Sequence, residues 1–435
     1  MLFGILYDVC LLLLSLIALP VVLWQRFRFG KYKNSLAQRL GLRLPSFVKK
    51  EGESVIWLHT ISMGETRAAI PFFQKLKVEY PNSRIVISSI TETGHIEAKR
   101  SMPGADCHFY LPLDFSFVMK KMMKKIKPDV VVLVESDFWY QFLNQAKKIE
   151  AKTLLINGKL SERSFRRFSK VRFFFTRLFA CFDKLCVQSS EYAKRFETLG
   201  DDPSKIVVTG NIKLDASFSV LSHEEKIAFR GQMGIGEKDL VIALGSSHFP
   251  EEEKILNALS LLFTNHPLAK ILIVPRHPER FSEVEELLKH KGITYTLFSK
   301  RHEGVNPLAQ VILIDAMGVL IKCYQISDLA IVCGSYTDKV GGHNIFEPIL
   351  LGVPVFFGPH MFSQRDLRDL VKPSGAGLQV PIENLGSAVD EFFSSKDIRE
   401  RYRENCFLLR DEVKGAFAKT WSECSSIIDS VLKKK

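Results

Sequence analysis

Short apolar runs recur along the chain and alternate with stretches of helical period. In the first half they are Ser54–Leu58, Arg84–Ile90, Cys107–Leu111, Val130–Val134, Thr153–Ile156, Leu185–Gln188 and Ile206–Val208. A second series follows: Leu240–Leu244, Ile271–Val274, Val311–Ile314, Leu329–Cys333 and Val353–Phe357. Runs without an exposed face are buried on both sides, and helices between them imply parallel sheets covered by those helices. Between the series, Asp215 to Ser222 has no periodicity and reads as a linker. The pattern therefore predicts an α/β chain of two doubly wound, Rossmann-like parallel-sheet domains in tandem, residues 31–215 and 222–395. A last helical pattern, Ile398 to Leu432, predicts one long helix within residues 396–435 that packs back across both domains. The length, 435 residues, supports a sizeable core in each.

The start of the chain breaks this rhythm. Residues 2–23 carry one charge, Asp8, and are long enough to span a bilayer, with Trp24 where an interfacial aromatic is expected. No basic residue precedes the stretch and no small-residue cleavage site follows, which argues against a cleaved signal peptide. Residues 24–50 hold eight Lys/Arg and no Asp or Glu, so the positive-inside rule puts the body of the protein on the cytoplasmic side. Residues 1–30 thus read as a membrane anchor with a basic flank. Asp8 and Pro20 leave open a helix that lies on the membrane or only dips into it.

Charge sharpens the picture. The formal net charge is +12, of which residues 24–50 contribute +8 and Lys159 to Arg177 contribute +6. The basicity sits in two patches, which is not the spread of a nucleic-acid face, and no nucleic-acid signature accompanies it. The second patch interleaves Arg and Phe at roughly helical spacing. It reads either as a solvated helix with a Phe core face or as a surface that meets an anionic, lipid-embedded partner. Eight cysteines, none in a Cys-x-x-Cys pair, read as buried, reduced thiols without a structural zinc.

In doubly wound sheets the chemistry lies beyond the carboxyl ends of the strands, here with the inter-domain cleft as the natural site. One loop stands out: Gly334 to Val340 leads into Gly341-Gly342, then His343, Asn344 and Glu347, with Asn344 as the expected N-cap of a short helix. Strand, glycine loop and helix N-terminus together form a phosphate receptor, though a plain βαβ connection has the same outline. Other strand ends carry His248, then Pro275-Arg-His277, then Asp315-Ala-Met-Gly-Val319. Arg276 and His277 are donors suited to phosphate or carboxylate. Together these ends suggest a nucleotide or nucleotide-sugar site without a Walker lysine. In the first half, Glu65 falls at a helix start, where the dipole keeps it ionised, as a general base or as a mere helix stabiliser. Glu135 ends a strand ahead of an aromatic pair, and reads otherwise as part of an N-cap cluster. Lys213 stands at the linker, where a lone lysine is usually solvated.

Ser62-Met-Gly-Glu65, Glu135-Ser-Asp-Phe-Trp139, Asn157-Gly-Lys-Leu-Ser-Glu-Arg-Ser164, Gly210-Asn-Ile-Lys213, Pro275-Arg-His-Pro-Glu-Arg280 and Gly341-Gly-His-Asn-Ile-Phe-Glu-Pro348 together resemble the Kdo (3-deoxy-D-manno-octulosonic acid) transferases of lipopolysaccharide synthesis. The resemblance covers nearly the whole chain. It implies the GT-B fold and an inverting glycosyltransferase on the cytoplasmic side of the inner membrane. It also implies CMP-Kdo as donor, lipid IVA as acceptor, and neither cofactor nor metal. By the same resemblance Glu65 is the proton acceptor, and Glu135 and Lys213 stabilise the transition state. Pro275, Arg276, His277, Met317, Gly318, Val319, Asn344, Ile345, Phe346 and Glu347 contact CMP. Two places depart from the family pattern. Asn157-Gly-Lys159 stands where Asn-Ala-Arg is commoner, and Gly318-Val319 where Gly-Glu is, so a role at 319 would run through its backbone.

Three other readings share parts of this pattern: an anchored GT-B enzyme using a UDP-sugar, a nucleotide-sugar epimerase, and a non-catalytic lipid-binding scaffold. An epimerase needs neither anchor nor acceptor patch, and a scaffold leaves Glu65, Lys213 and the Pro275-Arg-His loop without a task.

Overall fold

In the first unit, β1 (Ser54–Thr60), β2 (Ser83–Ser89), β3 (Cys107–Tyr110), β4 (Val130–Val134), β5 (Lys152–Gly158), β6 (Lys184–Val187) and β7 (Ile206–Val208) form one parallel sheet in the order β3-β2-β1-β4-β5-β6-β7. The computed structural model describes residues 2–30, 35–136, 138–200, 202–215, 219–304 and 306–433. This unit comprises Met1–Asp215 with Gly415–Lys435, and Ala216–Lys414 form the second. Strand residues alternate between two cores. Val55 and Trp57 join Phe109 and Phe142 on one face, whereas Ile56 and Leu58 join Phe72, Leu76 and Ile428 on the other. Chain order reverses between β1 and β4, so the loops after those two strands flank the switch point.

The second unit repeats the plan. β8 (Leu240–Ser247), β9 (Ala269–Pro275), β10 (Tyr295–Leu297), β11 (Val311–Leu313), β12 (Leu329–Val332), β13 (Val355–Phe357) and β14 (Gly377–Gln379) form a parallel sheet ordered β10-β11-β9-β8-β12-β13-β14. Its switch point lies between β8 and β12. The edge strands β10 and β14 add to the five strands expected from the sequence. Each is three residues long and paired on one side only, too short for a periodic signal.

The last helical pattern is two helices, not one. Lys396–Val413 belongs to the second unit and Ala416–Leu432 to the first. Gly415 breaks the run in the left-handed region at φ 86°. Asp215 accepts from Gly415 N at 3.0 Å and Phe417 N at 2.8 Å, holding a carboxylate at the new helix start. Part of the expected linker (216–218), part of the basic flank (31–34) and Asp137 of the Glu135–Trp139 motif lie outside the described residues.

Leu2–Phe29 is one helix through Pro20, long and apolar enough to cross a membrane (mean hydropathy 2.5). Ile5, Leu12, Leu13, Leu16, Ile17, Trp24 and Phe27 are among its exposed side chains. All eight thiols are free; the expectation that they are buried fails at Cys10, exposed on this helix, and at half-buried Cys107.

Candidate functional site

The three residues singled out in the first unit are brought to one place, beside the β1/β4 switch point. Thr60 ends β1, and Ser62 caps the next helix, Met63–Glu79, its side chain accepting from Glu65 N. Glu65 is therefore the third residue of that helix, 7% exposed, and its Oε2 accepts from Ile61 N at 2.6 Å. The carboxylate thus stabilises its own helix start, as the plainer reading expected, and it does so at the edge of the cluster described next. A Cβ built on the preceding residue, Gly64, would stand 3.7 Å from Lys213 Nζ.

Glu135 follows β4 in the left-handed region, φ 67°, and is not part of an N-cap cluster; the next helix begins only at Tyr140. Its side chain is 2% exposed and forms ion pairs with Lys213 and, at 2.7 Å, with Lys159. Burial alone would raise its pKa; the two ammonium groups outweigh burial and hold it below the ordinary carboxylate value. Asn157, near the end of β5, ties the cluster together. It donates to Glu135 Oε1 at 3.4 Å and accepts from Ile212 N at 2.9 Å, which fixes the segment carrying Lys213. Lys213 is thus paired, not merely solvated. Lys159, at a position where the sequence departs from the family pattern, supplies the second cation. Two carboxylates and two ammonium groups at a switch point can accept a proton and offset charge that develops nearby.

In the second unit the loops after β11, β9, β8 and β12, four strands adjacent in the sheet, carry the residues expected to bind a nucleotide. Pro275 ends β9, Arg276 is half-buried and His277 is exposed. Met317 projects from the loop after β11, Gly318 has φ 80°, and Val319 occupies the N-cap position of Leu320–Gln325. After β12, Gly341 and Gly342 stand at φ 89° and 86°; a Cβ on either would meet Phe362 or Met361 at 2.5 Å or less. The helix beyond them is only Phe346–Leu350, with Ile345 and not Asn344 at its N-cap position. Asn344 Oδ1 accepts from Phe346 N at 3.0 Å, and its amide donates to Glu347 Oε1 at 3.2 Å. Ile345 and Phe346 are buried.

Two features here were not foreseen. His248, after β8, shares a hydrogen bond with His343, Nε2 to Nε2 at 2.7 Å, with their rings stacked at 5.0 Å and His277 at 5.4 Å from His248. Burial first, then the neighbouring histidines and Arg276, lowers both pKa values to about 4, so the pair is neutral near pH 7. Glu251 is fully buried and binds three backbone N–H groups: Gly334 at 2.7 Å, Tyr336 at 2.8 Å and His248 at 3.1 Å. It joins the loop after β8 to the loop after β12. Burial pushes its pKa up against those three bonds. The only sequence signal was its place at the head of Glu251-Glu-Glu253.

The Arg/Phe patch folds as two short helices, Glu162–Ser169 and Arg172–Phe179. Phe165, Phe168, Phe174 and Phe175 pack on the core while Arg163, Arg166 and Arg167 are exposed, so most of the apolar half of the pattern is core, Phe173 excepted, and the charged half is surface. Among the described residues, no group of three His, Cys, Asp or Glu is placed to hold a metal ion.

The family described as 3-deoxy-D-manno-octulosonic-acid transferase (kdotransferase) matches residues 28–216. A 3-deoxy-D-manno-octulosonic acid transferase of Chlamydophila psittaci is 36% identical over 427 residues, covering 98% of this chain and 97% of the relative. Among solved structures, a glycosyltransferase from Rickettsia africae superposes at TM-score 0.53 with 15% identity, covering 88% of this chain and all of that one. A putative UDP-N-acetylglucosamine 2-epimerase from Listeria monocytogenes gives TM-score 0.55 with 13% identity, covering 88% of this chain and 98% of that one. At such identities the two structures speak for the fold alone.

Proposed function

The chain belongs to the 3-deoxy-D-manno-octulosonic acid (Kdo) transferases, and from that membership we propose that it moves Kdo from CMP-Kdo to lipid IVA, with inversion at the anomeric carbon. The observation that carries the mechanism is the buried Glu135 paired with Lys213 and Lys159 next to the Gly64-Glu65 turn. Glu65 takes the proton from the acceptor hydroxyl, whose oxygen forms the new bond to the anomeric carbon. The bond from that carbon to the CMP phosphate oxygen breaks, and its electron pair leaves with CMP. Lys213, oriented by Glu135, offsets negative charge as it develops. Arg276, His277 and the backbone of Gly341–Glu347 hold the nucleotide, and no step uses a metal. Residues 24–50 and the exposed arginines draw the chain to the anionic cytoplasmic face of the inner membrane, where the doubly phosphorylated acceptor lies. Sharing a fold with an epimerase at 13% identity does not favour epimerisation.

The test is a transfer assay with labelled CMP-Kdo and lipid IVA, comparing the wild type with Glu65→Gln, which keeps an acceptor for Ile61 N. Label should reach the lipid with the wild type and fall by about 10²–10⁴-fold with the variant. Undiminished transfer would remove Glu65 as the base. Intact CMP-Kdo and unlabelled lipid with both proteins would overturn the assignment of substrates.

A further inference from the structure

The apolar helix Leu2–Phe29 is held near its start by the first unit, and the chain rejoins that unit six residues after its end. Near its start, Tyr7 Oη donates to Asp114 Oδ2 at 2.8 Å. Ser116 N and Gln141 Nε2 each donate to Asp8 Oδ1 at 3.1 Å. Phe3 packs against Phe174 and Phe173, with ring centroids at 5.7 and 6.4 Å, and lies under the Arg177 guanidinium. Beyond the far end, Ser35 is buried and the Arg39 carbonyl accepts from Leu113 N at 2.7 Å. Tyr7 and Arg39 are thus fastened to consecutive residues of one loop, Asp114 and Leu113.

A helix that crosses a bilayer puts its ends on opposite faces, about 30 Å of hydrocarbon apart. That does not fit these contacts. Asp8 is satisfied by the body of the first unit, so that end of the helix lies on the body's side. Arg26 and Arg28 mark the other end, charged groups that do not sit in the hydrocarbon centre, and the chain is back in the same body by Ser35. Residues 9–25, between the polar ends, rise about 26 Å, at the lower limit of what spans the hydrocarbon. Those residues are apolar around most of the helix, so it belongs in hydrocarbon and does not float half in water; its orientation follows from where its ends are tied.

We propose that this helix does not cross the membrane but lies in the plane of one leaflet, within the acyl chains, with both ends on the side that carries the body. Its partner is an anionic phospholipid monolayer. Of the eight Lys/Arg of residues 24–50, Arg26 and Arg28 close the helix and six follow it in sequence, and Arg177, of the Arg/Phe patch, sits over its first turn. Basic flanks of this kind draw a surface to anionic headgroups. The proposal deepens the membrane reading above and rests on it.

The experiment uses the full chain with Cys10→Ser, bound from outside to closed phosphatidylglycerol/phosphatidylethanolamine vesicles. A Phe3→Cys/Phe173→Cys pair is treated with a short bifunctional maleimide. Cross-linking in the vesicle-bound fraction is expected, because the two rings touch in the fold. In a second variant, Ile17→Cys, the thiol should resist a water-soluble maleimide from outside and after vesicle permeabilisation, and react only in detergent. A Phe3→Cys thiol that fails to cross-link and reacts only once the vesicles are permeabilised would show a spanning helix and overturn the proposal while keeping the anchor. A chain that does not float with the vesicles would overturn both.

Discussion

Replacing Lys213 by Met separates what the ion-pair cluster does for stability from what it does for transfer. The Glu135 side chain is 2% exposed and faces two ammonium groups. Breaking a fully buried pair by removing one partner costs about 3–5 kcal/mol. Here Lys159 remains at 2.7 Å and Lys213 is itself 37% exposed, so about half of that, roughly 2 kcal/mol, is the expected loss. For a unit of this size the melting midpoint should drop by about 4–8 °C. Adding Glu135→Gln removes the orphaned charge, and Lys159, a third exposed, turns to solvent. The double variant should recover to within about 1 kcal/mol of the wild type, as charge pairs removed together often do. Transfer should behave differently. It should fall by about 10²–10³-fold in Lys213→Met and stay down in the double variant, because Lys213, the cation assigned to the developing charge, is gone and Lys159 has turned to solvent. Thermal melts by circular dichroism and the labelled transfer assay read the two quantities on the same preparations. A double variant that regained transfer along with stability would show that Lys213 only neutralises Glu135. An unchanged melting midpoint in the single variant would refute the electrostatic account altogether.

Three further outcomes are expected. His248 and His343 titrate near 4 in the folded chain and near 6.5 when unfolded, so the unfolded state binds more protons between those values; the second unit should keep full stability above about pH 6.5 and lose it as pH falls toward 4, a decline that His248→Asn should flatten in urea midpoints. Gly342→Ala puts a methyl group 2.3 Å from Met361 Sδ at φ 86° and should raise the KM for CMP-Kdo several-fold, whereas Gly304→Ala, at φ 114° with nothing within 4 Å, should leave it unchanged in initial-rate kinetics. Reversing Arg163, Arg166 and Arg167 to Glu should raise the KM for lipid IVA about tenfold or more, with the donor KM held, if those exposed charges meet the acceptor phosphates.

Strands with continuous apolar runs were legible from the sequence. Val130–Val134 has every residue buried, and nothing but a central strand explains such a run. Tyr295–Leu297 and Gly377–Gln379 were not legible, since an edge strand with one neighbour needs neither length nor full burial. Glu65, Glu135 and Lys213 stood out as polar groups at strand ends. Their assembly did not, because the Glu135–Lys213 pair depends on β4 and β7 belonging to one sheet and on Asn157 bridging to Ile212. Glu251 shows the limit more sharply. Three consecutive acids at a helix start carry no mark of burial in the sequence, yet the fold buries two and aims one at three N–H groups from two loops. The final helix was misread for a local reason: one glycine in the left-handed region interrupts a pattern whose apolar spacing runs on past it.

That interruption has a consequence for synthesis. The first unit takes its closing helix, Ala416–Leu432, from the far end of the chain, and Cys424 and Ile428 fill its core while Trp421 packs on Phe72. During translation the whole second unit therefore leaves the ribosome, and can complete its own sheet, before the first has all its parts. For that interval the sheet face behind Ile56 and Leu58 lacks its last cover. The part made first is the part finished last, and exposure of nascent chain to chaperones or proteases should concentrate there.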